Sequence, residues 1–277
     1  KPYVVRLKSS GNHDLPSEEI RHIKVEDAIR GTLSMPENDQ DIVILKATGI
    51  PTYHFAHVID DHFMRTTHVV RGEAWLMSLP IHVELFEKLG FEMPVYCHTA
   101  QLLKLDNGNK RKLSKRKDPE ASVSFYSKAG FPVQSVLEYL MTIANSNYEE
   151  WRMKNPDADM SQFKFKLEKM PVSGALFDMD KLASVSRDVI SKMSEETLFD
   201  EISVWAKDND EKLNAYITAS PDKFRESIKL WKYNGKKVRK DIAKWSDLSE
   251  MFPYLYGDGV DGYEFDEKLT ADERKAL

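Results

Sequence analysis

Cysteine is the scarcest residue type in this 277-residue sequence: there is one, Cys97. A single thiol closes no internal disulfide, which excludes a disulfide-built scaffold and points to a reducing, cytoplasmic setting. No run approaches the roughly 18 apolar residues that cross a bilayer. Lys1-Pro2-Tyr3-Val4-Val5-Arg6 carries neither the apolar stretch nor the cleavage site of a signal peptide. No membrane partner is expected. Glycine and proline number only 12 each, without a tripeptide period, a low-complexity tract or an internal repeat, so collagen-like and repeat architectures are excluded.

What is present is an ordinary globular balance, 41% hydrophobic and 31% charged residues, in a length that suggests about two domains. The net charge of −5 argues against a protein that coats nucleic acid non-specifically, and DNA is not an expected partner. The charge is uneven, however. Six of the eight residues from Lys110 to Lys117 are basic, residues 223–244 hold nine Lys or Arg against Glu226 and Asp241, and the last twenty residues are acidic. Segregation of this kind suggests a polyanion met by selected surfaces.

Residues 1–118 mix strand and helix signals. Tyr3 to Leu7 is β-like. Asp41-Ile42-Val43-Ile44-Leu45-Lys46 is nearly continuous in apolar residues, as a strand buried on both faces would be. Residues 67–72 and 95–97 give two more strands. Between them Pro80 opens a helix, Ile81, Leu85 and Leu89 form its stripe, and Gly90 closes it. The alternation implies an α/β layer. From about Pro119 the pattern turns helical. Pro132 starts a helix with Val133, Val136, Leu137, Leu140, Met141 and Ala144 at three- and four-residue spacing. Ser220-Pro221 caps another, in which Phe224, Ile228 and Trp231 line one face and the lysines take the others. Thr270-Ala271-Asp272-Glu273 reads as a capping box with only seven residues after Thr270, too few for a helix to hold itself together. The chain is therefore expected to be an excised piece of a longer protein.

The strongest local signal for chemistry is Asp106-Asn107-Gly108-Asn109-Lys110-Arg111-Lys112-Leu113-Ser114-Lys115-Arg116-Lys117. Asn-Gly-Asn is expected to make a mobile turn, and the cations after it repel one another unless an anion is near. Lys112 and Lys115 are spaced to reach one phosphate chain, with the Ser114 hydroxyl between them. Taken as composition alone, the run equally describes a solvated loop or a general RNA-binding patch. Six of the eight histidines fall between His54 and His98, yet no second cluster or thiolate set accompanies them, so no metal site is expected. Gly257-Asp258-Gly259-Val260-Asp261-Gly262 matches a dinucleotide pattern by letter, but it follows a proline-broken segment and carries acids that repel a pyrophosphate. With Val260 where an oxygen ligand is needed, it is not a calcium loop either. Cys97, on an apolar strand, reads as packing rather than as a nucleophile.

Three blocks carry a specific resemblance: residues 51–62, which read Pro-Thr-Tyr-His-Phe-Ala-His-Val-Ile-Asp-Asp-His; residues 67–76, from Thr67 through Arg71, Gly72 and Trp75 to Leu76; and Lys112-Leu113-Ser114-Lys115-Arg116. In order and spacing they resemble the bacterial-type glutamyl-tRNA synthetases, strongly over 41–145 and weakly beyond about 190. The resemblance implies a class I aminoacyl-tRNA synthetase fold, α/β followed by all-α. Residues 1–118 would be the second half of a Rossmann-like catalytic domain, 119–190 a helical stem-contact domain, and 191–277 part of a helical anticodon-side region. It implies ATP and Mg²⁺, glutamate and tRNA-Glu as partners. Lys112, Ser114 and Lys115 would form the catalytic KMSKS-type loop; Lys115, Arg116, Leu103 and Trp75 would bind ATP; Tyr53, His57 and Arg71 would bind glutamate.

The sequence departs from the family in three places. Ala74 stands where the second of two acids is usual. Ala183-Ser184-Val185-Ser186 replaces a stretch with tryptophan and asparagine. The His-Ile-Gly-His-type signature is missing altogether. The isolated chain is accordingly expected to fold without aminoacylating, and ATP–pyrophosphate exchange by the isolated chain would refute this. A non-catalytic RNA-binding module, a glutaminyl-type enzyme and a tRNA-modifying relative remain as alternatives. The Tyr53 and Arg71 blocks weigh against the second, and the long helical tail against the third.

Overall fold

The structure, a computed structural model, describes residues 2–16 and 18–256. It divides into two compact units, one of residues 1–113 with 141–177, the other of 114–140 with 178–277. The acidic glycine loop at 257–262 and the capping box at Thr270 lie outside the described residues.

In the first unit, strand β1 (Val5–Arg6), the antiparallel pair β2 (His22–Asp27) and β3 (Gly31–Pro36), and β4 (Val43–Leu45) lead into helix α1 (Tyr53–Phe63). Next come β5 (His68–Gly72), a 3₁₀ turn over Glu73–Ser78, helix α2 (Leu79–Leu89) and β6 (Val95–Thr99). β5 and β6 pair in parallel, with α2 as the crossover that parallel strands require. The four-stranded sheet runs β3-β2-β6-β5. Within β6, Tyr96, Cys97 and His98 are all buried. Pro80 sits in the first turn of α2 and Gly90 ends it with a φ of 68°, as the sequence predicts, although Leu89 remains exposed and the core contact comes from Leu79, Val83, Leu85 and Phe86.

The run at 41–46 differs from expectation. β4 is half-buried and, among the described residues, its strand partner is the two-residue β1, with a single further bridge from Leu45 to Pro51. Its apolar side chains pack on one side, where Ile42 and Ile44 join Leu7, Val58, Leu85 and Phe86. A continuous apolar run does not reveal how many faces are covered, because periodicity is silent about neighbours.

A separate three-stranded sheet has the order β8-β7-β9, from β7 (Leu102–Asp106), β8 (Asn109–Lys112) and β9 (Ala175–Leu176). The expected mobile turn is a tight hairpin instead. Asn107 and Gly108 take φ of 49° and 80°, the left-handed pair that matches strand twist in a two-residue hairpin.

The second unit is helical among its described residues, apart from a small hairpin of Tyr233–Asn234 with Lys237–Val238. Its core draws on Met179–Lys192, Glu195–Asn209, Glu211–Ala219 and Pro221–Lys232, with Leu198, Ile202, Leu213, Phe224, Ile228 and Trp231 at its centre. The helix starting at Val133 has a different buried face from the one its apolar spacing predicts. Ser135, Glu138 and Tyr139 are buried, whereas Val133 is 75% exposed and Leu137 and Leu140 are also exposed. The polar face is accommodated by specific bonds: the Ser186 hydroxyl donates to Ser135 at 2.9 Å, and the Asp178 N–H donates to the Tyr139 oxygen at 2.6 Å.

Candidate active site

Four of the residues expected in the site converge in the first unit, and elementary geometry explains the convergence. Tyr53 and His57 are one turn apart on α1, so they share a face. Their rings stack with centroids 5.8 Å apart and an interplanar angle of 9°. Trp75, on the 3₁₀ turn after β5, brings its ring to 4.6 Å from that of Tyr53. Arg71 comes from β5, and its NH2 donates to the Trp75 carbonyl at 3.4 Å.

The structure adds a layer beneath these residues. Arg71 pairs in register with His98 on β6, and Val69 with Tyr96. Side chains two apart on a strand share a face, so Tyr96 and His98 stack, 5.8 Å between centroids, beneath the site. The Arg71 guanidinium lies 4.7 Å from the Tyr96 ring centre, donates from Nε to His98 Nε2 at 2.9 Å and lies 3.1 Å from His82 Nδ1 through NH1. Arginine has donors only. His82 must therefore leave Nδ1 bare and carry its proton on Nε2, from which it donates to His54 Nδ1 at 2.9 Å. The concentration of histidines is visible in the sequence, but the direction they face is not, and nothing local marks Asp27, His82, Tyr96 and His98 as part of a site.

Burial keeps the histidines and Tyr96 around Arg71 uncharged. His82 is pushed down to about 2, first by burial and then by its neighbours His57 and Arg71. Burial also lowers His54, His57 and His98, in the last two cases against the opposing pull of Asp61 and Asp27. Tyr96 is raised by burial, so its hydroxyl stays protonated, and it lies 3.0 Å from His57 Nε2. Asp61 Oδ2 approaches His57 Nδ1 at 2.9 Å but off the hydrogen-bond axis, leaving that oxygen buried without a hydrogen bond. Arg71 is thus a cation in a largely neutral, partly desolvated pocket, where attraction for a carboxylate exceeds its value in water.

The other expected residues come from other elements. Leu103 and Lys112 face each other across the β7–β8 pairing. Ser114, Lys115 and Arg116 belong to a turn in the second unit, which also contains Lys117. The N–H groups of Lys117 and Asp118 donate to the Ser114 carbonyl at 3.0 and 2.8 Å, and the buried Asp118 carboxylate accepts the Ser114 N–H at 2.8 Å. Lys115, Arg116 and Lys117 are exposed and have no ion-pair partner among the described residues. Three adjacent unpaired cations on a fixed turn fit a polyphosphate.

The basic surface suggested by residues 223–244 is less available than it looks. Of the nine basic residues in 223–244, Arg225, Lys229, Arg239, Lys240 and Lys244 are in ion pairs with Glu196, Glu226, Asp241, Asp188 and Asp247. Lys232 is buried at 4% exposure, its ammonium on the Met193 carbonyl, so it is not on the solvent face the spacing predicts. Among the described residues, no group of three or more His, Cys, Asp or Glu is arranged to hold a metal ion, and no helix is long and apolar enough to cross a membrane.

The chain is similar to known proteins along nearly all of its length. The chain is 50% identical, over 99% of its length, to half of a glutamate–tRNA ligase of Clostridium perfringens strain 13. It is 51% identical, over 92% of its length and 45% of the relative's, to one of Acetivibrio thermocellus. Among solved structures, a glutamate–tRNA ligase from Elizabethkingia meningosepticum in complex with its amino acid superposes with a TM-score of 0.73 at 28% identity, covering 96% of this chain and 51% of that one. The chain spans about half the length of the curated relatives it matches. The α/β-then-helical reading of the sequence agrees with the fold of these structures. Residues 1–184 match the family described as tRNA synthetases class I (E and Q), catalytic domain, and this chain belongs to that family.

Proposed function

We propose that the protein is a glutamate–tRNA ligase, which activates glutamate with ATP and transfers it to the 3′ end of tRNA-Glu. The observation that carries this reading is Arg71. Its guanidinium has five N–H groups, and three are committed to His98, His82 and the Trp75 carbonyl. The other two sit on the outer nitrogens beside Tyr53, which also hydrogen-bonds the guanidinium; a carboxylate can pair with it there, which favours glutamate over an uncharged amide.

Activation requires the glutamate α-carboxylate oxygen to attack the ATP α-phosphorus while the bond to the β-phosphate oxygen breaks and pyrophosphate leaves. The tRNA terminal hydroxyl then attacks the glutamyl-adenylate carbonyl carbon and AMP departs. Negative charge grows between the α- and β-phosphates in the first step. Lys112, Ser114 and Lys115 donate there, and donors that engage developing charge lower the barrier more than they stabilise the ground state. Tyr53 and His57 flank the amino acid; Trp75, Leu103 and Arg116 contact ATP. Mg²⁺ would arrive with the ATP phosphates, its usual route into nucleotide sites, and would neutralise part of their charge there.

In this reading residues 1–118 serve catalysis, 119–190 contact the acceptor stem, and 191–277 belong to the anticodon side. The cytoplasm is the setting, consistent with the single buried thiol of Cys97. The test is glutamate-dependent ATP–pyrophosphate exchange by the full-length protein. Lys115→Ala should lower it by about 10²–10³ with tRNA affinity nearly intact. Exchange supported by glutamine but not glutamate, or no exchange with either, refutes the proposal.

A further inference from the structure

Behind Arg71 lies a pair of side chains whose burial the fold alone does not explain. His98 is 0% and Asp27 3% exposed. His98 Nδ1 and Asp27 Oδ2 are 2.6 Å apart, and the His98 backbone N–H also reaches that oxygen at 3.1 Å. The other oxygen, Oδ1, accepts the N–H groups of Ile29 and Arg30, both at 3.0 Å, and that of His98 at 3.3 Å. Oδ1 therefore closes the turn after β2, a structural duty that needs no imidazole. Oδ2 is spent on His98, and the far nitrogen of His98 is spent on Arg71. Burying a carboxylate is expensive unless every lone pair is used, and here all contacts to it are donors. Burial alone would push Asp27 up, but the bonds from His98 and from the backbone N–H groups outweigh that and hold it ionised.

The hydrogen-bond directions follow from Arg71. Its Nε can only donate, so His98 Nε2 is bare and the imidazole proton sits on Nδ1, aimed at the carboxylate. The row Arg71–His98–Asp27 crosses three adjacent strands, β5, β6 and β2. We propose that Asp27 and His98 are a positioning pair for Arg71: the buried carboxylate fixes His98 in the Nδ1–H tautomer, and the bare Nε2 holds Arg71 Nε so that the outer nitrogens keep the orientation in which they meet a substrate carboxylate. The pair does not touch substrate. This inference rests on the reading of Arg71 as the glutamate contact.

Asp27→Asn is the informative variant because it is isosteric and keeps the turn. Three backbone donors hold the amide oxygen at the Oδ1 position, which leaves the amide NH₂ facing His98 Nδ1. That nitrogen must then accept, the imidazole proton moves to Nε2, and Nε2–H opposes Arg71 Nε–H. The same tautomer logic accounts for the loss of activity when the aspartate of a serine-protease triad becomes asparagine.

In ¹⁵N-labelled protein, long-range ¹H–¹⁵N correlation should find His98 as the Nδ1–H tautomer, with a scalar coupling across Arg71 Nε–H···Nε2. This measurement requires no variant to fold. In Asp27→Asn the proton should move to Nε2, the coupling should vanish, and the Kd for glutamate in the full-length protein should rise about ten- to a hundredfold, with the KM for ATP unchanged. A wild-type His98 protonated on Nε2 overturns the inference. So does an Asp27→Asn protein that flips the tautomer and binds glutamate normally while Arg71→Lys binds it weakly. If Arg71→Lys also leaves glutamate affinity unchanged, the glutamate-contact reading itself fails, and the positioning role with it.

Discussion

Removing the Asp118 carboxylate should loosen the cationic turn. Asp118 is 2% exposed and accepts the Ser114 N–H at 2.8 Å, while its own N–H returns to the Ser114 carbonyl at 2.8 Å. The two bonds close a short ring that keeps Lys115, Arg116 and Lys117 together against their mutual repulsion. A hydrogen bond to a charged group contributes about 1.5–3 kcal/mol net. Asp118→Ala deletes the acceptor and leaves the Ser114 N–H without it, so the turn should open more often by about that energy. Since about 1.4 kcal/mol is a factor of ten, Ser114 amide hydrogen exchange should accelerate about ten- to a hundredfold, and Asp118→Asn, which keeps an oxygen, should fall between. The assay reads the donor itself, so a global change in stability is recognised by parallel acceleration in the core strand β6. Unchanged Ser114 exchange in Asp118→Ala would refute the claim that this carboxylate fixes the turn. If the turn serves phosphate binding, the KM for ATP in the full-length protein should rise in the same variant.

Two further predictions concern charge. His82 is neutral in the folded state, its pKa lowered to about 2 by burial first and then by His57 and Arg71, whereas in the unfolded chain it titrates near 6.5. Below that pH the unfolded state binds the extra proton, so stability falls as pH drops, by about 1.4 kcal/mol per unit from this group alone; His82→Gln should flatten the slope between about pH 6 and 4, and urea midpoints across that range that match wild type would disprove the assignment. In the second unit, Lys223, Lys236 and Lys237 have no ion-pair partner among the described residues. Replacing all three with alanine should reduce the slope of log K against log salt for tRNA by up to about 3, whereas Arg225→Ala, which also frees Glu196, should change it less; equal effects would mean that the ion pairs do not screen the surface.

Much of the fold was legible because local chemistry determines it. Pro80 and Gly90 bracket α2 for reasons of backbone geometry alone, and residues 67–72 and 95–97 become strands by composition. The face of the Val133–Ala144 helix was not legible. Ser135 and Tyr139 find partners at Ser186 and Asp178, residues about forty to fifty positions away, and that pairing turns the apolar stripe outward. Likewise the basic stripe of 223–244 looked free because the acids that neutralise Arg225 and Lys240 come from Glu196 and Asp188, on other helices.

In the candidate site the division is equally clear. The sequence by itself determined the residue types and their order: Tyr53 and His57 one helical turn apart, Arg71 ahead of a glycine and a tryptophan, and six cations in eight residues. Only the tertiary structure decided that His98 and Asp27, 71 positions apart, would stand behind Arg71. The physical reason is that helical and strand periodicities arise from bonds between near neighbours, whereas strand order brings distant residues into register, and no local pattern in the chain encodes which strand will lie beside which.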